Sequence, residues 1–428
     1  MAPDEGVDAG DGGHGVARAA AEAAARGSYG KLVAFLAART RDVAGAEDAL
    51  SEAFATALTD WPVQGVPRTP EAWLLTVARR RMIDAARRRR SGDEAGSTLL
   101  LLAELAADED GDTPIPDDRL GLMFACAHPA IDAGVRAPLM LQTILGFDAA
   151  TIASAFLVAP ATMGQRLVRA KTKIRQAGIP LRLPGHGDLR QRLDAVLEAI
   201  YATYAEGWAD ADGTDARRRN LAEEAIWLGR LLASLLPDEP EVLGLLSLML
   251  HAEARRGARR DARGGFVPLA GQDPALWNAA MIAEAEALLF QASAQGGLSG
   301  RYQLEAAVQS AHAVRRHAGV ADWTAIEHLY DALAAVTGSP VVALNRAVAR
   351  AETRGPAEGL AALDALAQDA RMADYQPYWA ARASLLARSG QPAHADQAYQ
   401  RAIGLESDPA VREFLQLRRA ELAAGNAS

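Results

Sequence analysis

Apolar residues recur along most of this chain at intervals of three and four, the spacing of helices that bury one stripe. After a Gly/Asp-rich start, residues 1–15, whose composition predicts disorder, the pattern predicts helices over Val16–Arg26 and Tyr29–Thr40, separated by Gly27. A third is predicted from Ala44 to Asp60. Ala46, Ala49, Leu50, Ala53, Phe54, Ala57 and Leu58 fill its stripe, and Glu47, Asp48, Ser51 and Glu52 its polar side. Trp61–Thr69, with two prolines and a glycine, reads as a loop. Pro70–Arg90 then reads as one uninterrupted helix. Leu74, Val77, Ala78, Met82 and Ala85 fall on one side of it, while Arg79, Arg80, Arg87 and Arg90 share an arc on the other.

The pattern breaks between residues 93 and 117, an acidic, Gly/Pro/Thr-containing stretch that reads as a linker. Helical spacing resumes from 118 to 182. There Ala149–Leu157, a turn at Val158–Pro160 and Ala161–Gln176 form a predicted helix-turn-helix. Its second helix has two faces. Met163, Leu167, Ala170 and Ile174 point to a core, and Thr162, Gln165, Arg166, Arg169 and Lys173 lie on a separate arc that begins at the N-terminal end. A recognition helix meets base edges with such a face. Any helical hairpin can also carry this pattern.

Residues 183–428 are helical throughout, with regular Gly/Pro breaks. Trp379, Ala383, Leu386, Ala395, Tyr399 and Ala402 match the aromatic, small and large positions of a tetratricopeptide repeat (TPR), and GPAEGLAALDAL aligns with QPAHADQAYQRAI at a 36-residue offset. Half of the residues are hydrophobic and Ala is abundant, so the fold class is all-α. The net charge of −9 argues against a molecule that binds nucleic acid over its whole surface. Basic charge is instead local, at Arg79–Arg90 and Arg166–Arg175. A row of guanidinium groups on a helix is matched by a row of phosphates, and equally describes a solvated face.

The single cysteine, Cys126, excludes an intramolecular disulfide, and Cys126 with His128 does not make a metal site. No metal or cofactor is expected. No apolar run is long enough to cross a membrane, and the start lacks a basic segment followed by an apolar one, so a cytoplasmic protein is expected.

Three blocks carry a resemblance: AEDALSEAFATAL at Ala46–Leu58, PEAWLLTVARRRMIDAARR at Pro70–Arg88 and ATIASAFLVAPATMGQRLVRAKTKIR at Ala150–Arg175. In this order the chain resembles an RNA polymerase sigma factor of the extracytoplasmic-function (ECF) type, from the group with a TPR-like C-terminal extension. DDRLGLMFACAHPAI at Asp117–Ile131 is similar to a signature of that group. The resemblance implies sigma region 2 at 16–92, a linker at 93–117, region 4 at 118–182 and a helical array at 183–428. It implies RNA polymerase core and promoter DNA as partners, with a protein or peptide ligand possible for the array.

Position by position, it puts polymerase binding on Asp48, Ser51 and Glu52, with Ser51 standing where Gln is usual. It puts the −10 element on the Trp61–Thr69 loop and the following helix, with Trp61, Arg79, Arg80, Arg87 and Arg90 as candidates. The −35 element falls to Thr162, Gln165, Arg166, Arg169 and Lys173. Stacking on aromatics plus phosphate pairing is how single-stranded DNA is held, which suits Trp61; Trp73 reads better as a core anchor. Two other readings compete. A helix-turn-helix regulator with a TPR sensor leaves the helices at 46–58 and 70–90 without a role. An enzyme housed in the array lacks a nucleophile–base pair, a phosphate loop or metal-ligand spacing.

Overall fold

The computed structural model describes residues 9–88, 115–156, 158–209 and 216–425. Among them it is all-α, with one isolated antiparallel bridge, Arg260 to Phe266, and no strand. The chain divides into two compact units at Gly207/Trp208.

The first unit begins with one continuous helix, α1 (Ala9–Thr40), where the pattern predicts two. Gly27 does not break it. Its place is open on all sides, so it costs only the ~1 kcal/mol of a helical glycine, and the Ala-rich flanks carry the helix through. Residues 9–15, expected to be disordered, belong to the same helix. Leu32, Val33, Ala34, Phe35, Leu36 and Ala37 are all buried. Six consecutive positions span the whole helix circumference, so α1 is covered on every side here.

Helix α2 (Val43–Gln64) starts on Asp42, whose carboxylate accepts from the Gly45 amide at 3.1 Å, and ends where Gly65 takes a left-handed φ of 86°. It runs a turn past the predicted end, so Trp61 and Pro62 are helical and the loop shrinks to 65–69. Helix α3 (Pro70–Arg88) packs on α1 and α2. Arg90 and most of the acidic linker lie outside the described residues.

Four further helices, α4 (Arg119–Cys126), α5 (Ala133–Leu145), α6 (Ala149–Ala155) and α7 (Pro160–Gln176), complete the part expected to read DNA. The two helices predicted over Ala149–Leu157 and Ala161–Gln176 are α6 and α7; Leu157 lies outside the described residues. Helices α4 and α5 also pack on α1. The approach is close: a Cβ on Gly30 would lie 2.3 Å from the Ile144 carbonyl oxygen, so only glycine fits between these backbones. The segments 16–92 and 118–182, read from sequence as separate regions, thus share one core. Helix α8 (His186–Ala209) follows, and its Arg192 donates to the Phe124 carbonyl at 3.2 Å.

The second unit stacks antiparallel helices. Its central helix, α10 (Pro240–Glu253), follows α9 (Ala216–Leu235) and is buried from Val242 through His251. It packs between α11 (Ala279–Ala294) and α12 (Arg301–Ala313), and Glu241 caps the latter by accepting from the Tyr302 and Gln303 amides at 3.0 Å. Pairs of helices continue to the end, among them Pro340–Arg354 with Pro356–Asp364 and Gln376–Arg388 with Pro392–Leu405. The 36-residue offset seen in the sequence corresponds to two helices that both begin on proline, Pro356 and Pro392. Ala383, Leu386, Ala395, Tyr399 and Ala402 meet in one buried cluster with Trp379 against it.

Candidate nucleic-acid and polymerase interface

Three helices of the first unit carry the candidate residues. On α2, Asp48, Ser51 and Glu52 are exposed on one side, next to a stripe that buries Ala46, Ala49, Leu50, Ala53 and Ala57. Arg81 of α3 reaches Glu52 at 3.4 Å, with both side chains about half exposed, so the acidic face of α2 and the basic face of α3 adjoin.

Along α3 the arginines separate. Arg80 and Arg87 are exposed, two turns apart and about 10 Å along the axis. Arg87 also lies 3.9 Å from Asp84. Arg79 turns the other way: its guanidinium lies over the Phe35 ring of α1, 5.2 Å from the centroid, with Arg39 over the same ring at 3.4 Å. The sequence puts Arg79 on the outer arc. Its long side chain instead places the charge on an aromatic face, a favourable cation–π arrangement.

Trp61 is a second correction. It is 2% exposed and meets Trp73 edge to face, with centroids 5.4 Å apart and planes at 65°. Packed this way the two indoles tie the end of α2 to the start of α3, and Trp61 offers no open face to a base. Its indole Nε1–H is buried without a hydrogen-bond acceptor among the described residues. Ser28 of α1 donates to the Glu71 carboxylate, fixing the first turn of α3.

On α7 the two-faced reading holds. Met163, Leu167, Ala170 and Ile174 are buried, and Thr162, Gln165, Arg166, Arg169 and Lys173 are exposed. Arg166, Arg169 and Lys173 border a cavity of about 350 Å³ that Ile131, Asp132 and Val135 close from the start of α5. Three cations with few acidic neighbours make an anion-attracting surface of this side.

One pair was missed. Glu47, placed by the sequence pattern on the polar side of α2, is buried, and Lys171 of α7 donates to its Oε2 at 2.6 Å. Its other oxygen, Oε1, has no donor among the described residues. Burial raises the Glu47 pKa above the ordinary carboxylate value, against the opposing pull of Lys171. Nearby, Arg175 lies 3.5 Å from Asp42. The signal was present: Glu47 follows Val43 by four residues and precedes Leu50 by three, and Lys171 stands likewise between Leu167 and Ile174. Opposite charges thus occupy core positions on two helices.

Cys126 is buried against Thr143, 3.4 Å away, and burial pushes its thiol up to about 12. Among the described residues no three His, Cys, Asp or Glu side chains gather as a metal site would require. No helix among them is long and apolar enough to cross a membrane.

Residues 26–92, which hold α2, α3 and most of the α1 core, match the family Sigma-70 region 2. The first unit thus carries a segment similar to sigma-70 region 2. The exposed acids of α2 and bases of α3 both lie inside the matched residues. Residues 192–293 match a family of unknown function, DUF6596. An uncharacterized protein of Rhizobium meliloti (strain 1021) is 38% identical over 385 residues, covering 89% of this chain and 90% of that protein. Such coverage takes in residues of both units. No solved structure matches the chain.

Proposed function

We propose that the protein is an ECF-type sigma factor: it binds RNA polymerase core, recognises −35 and −10 promoter elements and promotes melting of the DNA between them and the start site. The Sigma-70 region 2 match carries this reading, because it covers the helices whose exposed faces are acidic on α2 and basic on α3. Asp48, Ser51 and Glu52 are the polymerase contacts. Arg80 and Arg87 hold the phosphates of the opened strand, and Arg79 contributes only if it leaves Phe35. The α2–α3 corner, with its 65–69 loop, is where the strands part, and Trp61 joins a flipped base only when the Trp61–Trp73 pair opens. Thr162, Gln165, Arg166, Arg169 and Lys173 read the upstream element from the major groove.

The protein acts without chemistry of its own, in the cytoplasm, where polymerase and promoter are. The second unit is a TPR-like control domain. Paired helices stacked in this way present concave surfaces to protein or peptide ligands. A cavity of about 370 Å³, walled by Trp379, Arg382, Asp364 and His394, is a place in it for an amide- and charge-bearing segment.

The experiment is copurification with core polymerase, followed by transcription from promoters selected by the reconstituted holoenzyme. Stable core binding and start-site-specific transcripts are expected. Tight, sequence-specific binding to duplex DNA by the chain alone, with no core association, would instead establish a conventional helix-turn-helix regulator.

A further inference from the structure

Exposure and charge do not coincide around α7. Val168 is 61% exposed and belongs neither to the buried stripe nor to the basic arc. At about 100° per residue, Gln165 and Thr172 stand opposite the stripe of Met163, Leu167, Ala170 and Ile174. Arg169 lies about 50° to one side of them and Val168 about 50° to the other. Thr162, Arg166 and Lys173 all fall on the Arg169 side, and Arg166, Arg169 and Lys173 border the cleft closed by Ile131, Asp132 and Val135. On the Val168 side the N-terminal half of the helix holds Ala161 and Gly164 and no charge. A Cβ on Gly164 would meet nothing within 4 Å, so this side is open. The cations farther along it, Lys171 and Arg175, are engaged by Glu47 and Asp42 of α2.

A lone exposed valine is ordinary on a protein surface. In mid-helix, however, it is a poor choice for stability, because its branched Cβ loses rotamers against the preceding turn. Helix α7 carries five cations and no acidic residue, so its exposed surface complements a polyanion. On duplex DNA a valine gains nothing from phosphates. In the major groove one base edge is apolar, the 5-methyl group of thymine. Helical side chains point back toward the N-terminus, so Val168 lies over the turn that holds Gly164. With glycine there and Ala161 a turn earlier, the backbone on this side can come close to the bases. The N-terminal half is also where a reading helix meets base edges.

We propose that Val168 determines specificity by packing on the methyl group of a thymine at one fixed position of the upstream promoter element. The cations on the other side of α7 supply the phosphate attraction that holds the helix in place. The inference rests on reading α7 as the helix that takes that element. It adds an apolar contact to a readout otherwise made of hydrogen bonds, and it requires an A·T pair where Val168 lies.

The test uses holoenzyme reconstituted from the full chain and core polymerase, on the promoter it selects. Each thymine of the upstream element, on either strand, is replaced in turn by deoxyuracil, which removes the methyl group and keeps the base pairing. At one thymine, binding should weaken about fourfold, the worth of one buried methyl group. Val168→Ala should weaken binding to the thymine promoter by a similar factor and be indifferent to the replacement. Val168→Ile, which keeps an apolar tip, should retain the methyl preference. The melting temperature of Val168→Ala should not fall, since alanine is the better helix former. Its salt slope should match the wild type, because no phosphate contact is lost.

A wild-type holoenzyme indifferent to deoxyuracil at every upstream thymine, or a selected element without thymine, would overturn the contact. So would a Val168→Ala variant that keeps the full methyl preference. Failure of the chain to bind core is a separate result: it refutes the sigma-factor reading, and the deoxyuracil series is then run on the duplex that the chain selects alone, with the same outcomes deciding the contact. A chain that binds no duplex in either state overturns both.

Discussion

Arg80 and Arg87 are exposed on α3, and their contribution can be measured apart from folding. Replacing either by alanine removes no buried contact, so stability should be unchanged. Each lost contact to single-stranded DNA should lower the slope of open-complex formation against log salt by about 0.7. Footprinting of the opened strand at several salt concentrations checks this; unchanged opening in the double variant would remove α3 from the mechanism. Arg79→Ala should behave differently, lowering the melting temperature through loss of its place on Phe35. The divergence of Arg79 from its neighbours was not legible in the sequence. Periodicity assigns directions to Cβ atoms, and a six-atom stem can carry a charge across the edge of a face.

Two histidines of the second unit make a residue-scale prediction about pH. His251 and His312 are held neutral, their pKa values lowered from 6.5 to about 4, by burial first and the positive charge of Arg255 second. Folded-state values below the unfolded ones mean that the stabilisation is complete above pH 6.5 and is lost as pH falls toward 4, because the unfolded chain takes up the protons first. Each group contributes on the order of 3 kcal/mol over that window. Chemical denaturation from pH 7 to pH 4.5 should show a steep loss of stability, and His251→Gln should flatten it. A curve as steep in the variant would place the loss elsewhere.

At the scale of elements, α7 was the most legible part of the chain. Four buried positions and five exposed ones fall where the spacing puts them, because a short helix packed on one side obeys its periodicity. The α2–α3 corner was less so. Pro62 and the nearby Gly65 read as a break, yet the burial of Trp61 against Trp73 extends α2 through the proline to Gln64. Tertiary packing overrode a local breaker, and the candidate stacking residue became a hinge pin. Gly27 gave the same error in α1. For α7 the expectation is that Gln165→Ala and Arg166→Ala alter base preference in the upstream element by about 1–3 kcal/mol wherever either meets a base edge. Selection of upstream sequences by wild-type and variant holoenzymes measures it. Equal weakening on every sequence would show that the two side chains touch phosphates alone.

At the scale of the molecule, the sequence separates residues 16–92 from 118–182 by an acidic linker, whereas the structure gives the described residues of both a common core around α1. The chain's own punctuation could not show this. Gly30 reads as one more small residue until Ile144 is found against it, and Glu47 and Lys171 are ordinary charges until they meet. The sequence break at Ile179–Gly187 likewise suggests a boundary near 182, while the first compact unit runs on to Gly207. A fragment ending at Gly207 therefore retains every contact described for the first unit, including Arg192 to Phe124, and should melt cooperatively and bind core. One ending at Arg182 loses Arg192 and should melt lower. If the second unit controls initiation, the longer fragment transcribes from a cognate promoter with altered strength or without regulation, although the faces proposed to bind DNA and core are intact. The 31 acidic against 24 basic residues of 183–428 make direct DNA contact by the array a poor alternative source of such a change. Melting curves and transcription measured together on both fragments decide the matter: a folded 1–207 fragment with wild-type strength and regulation would show that the array exerts no control over initiation.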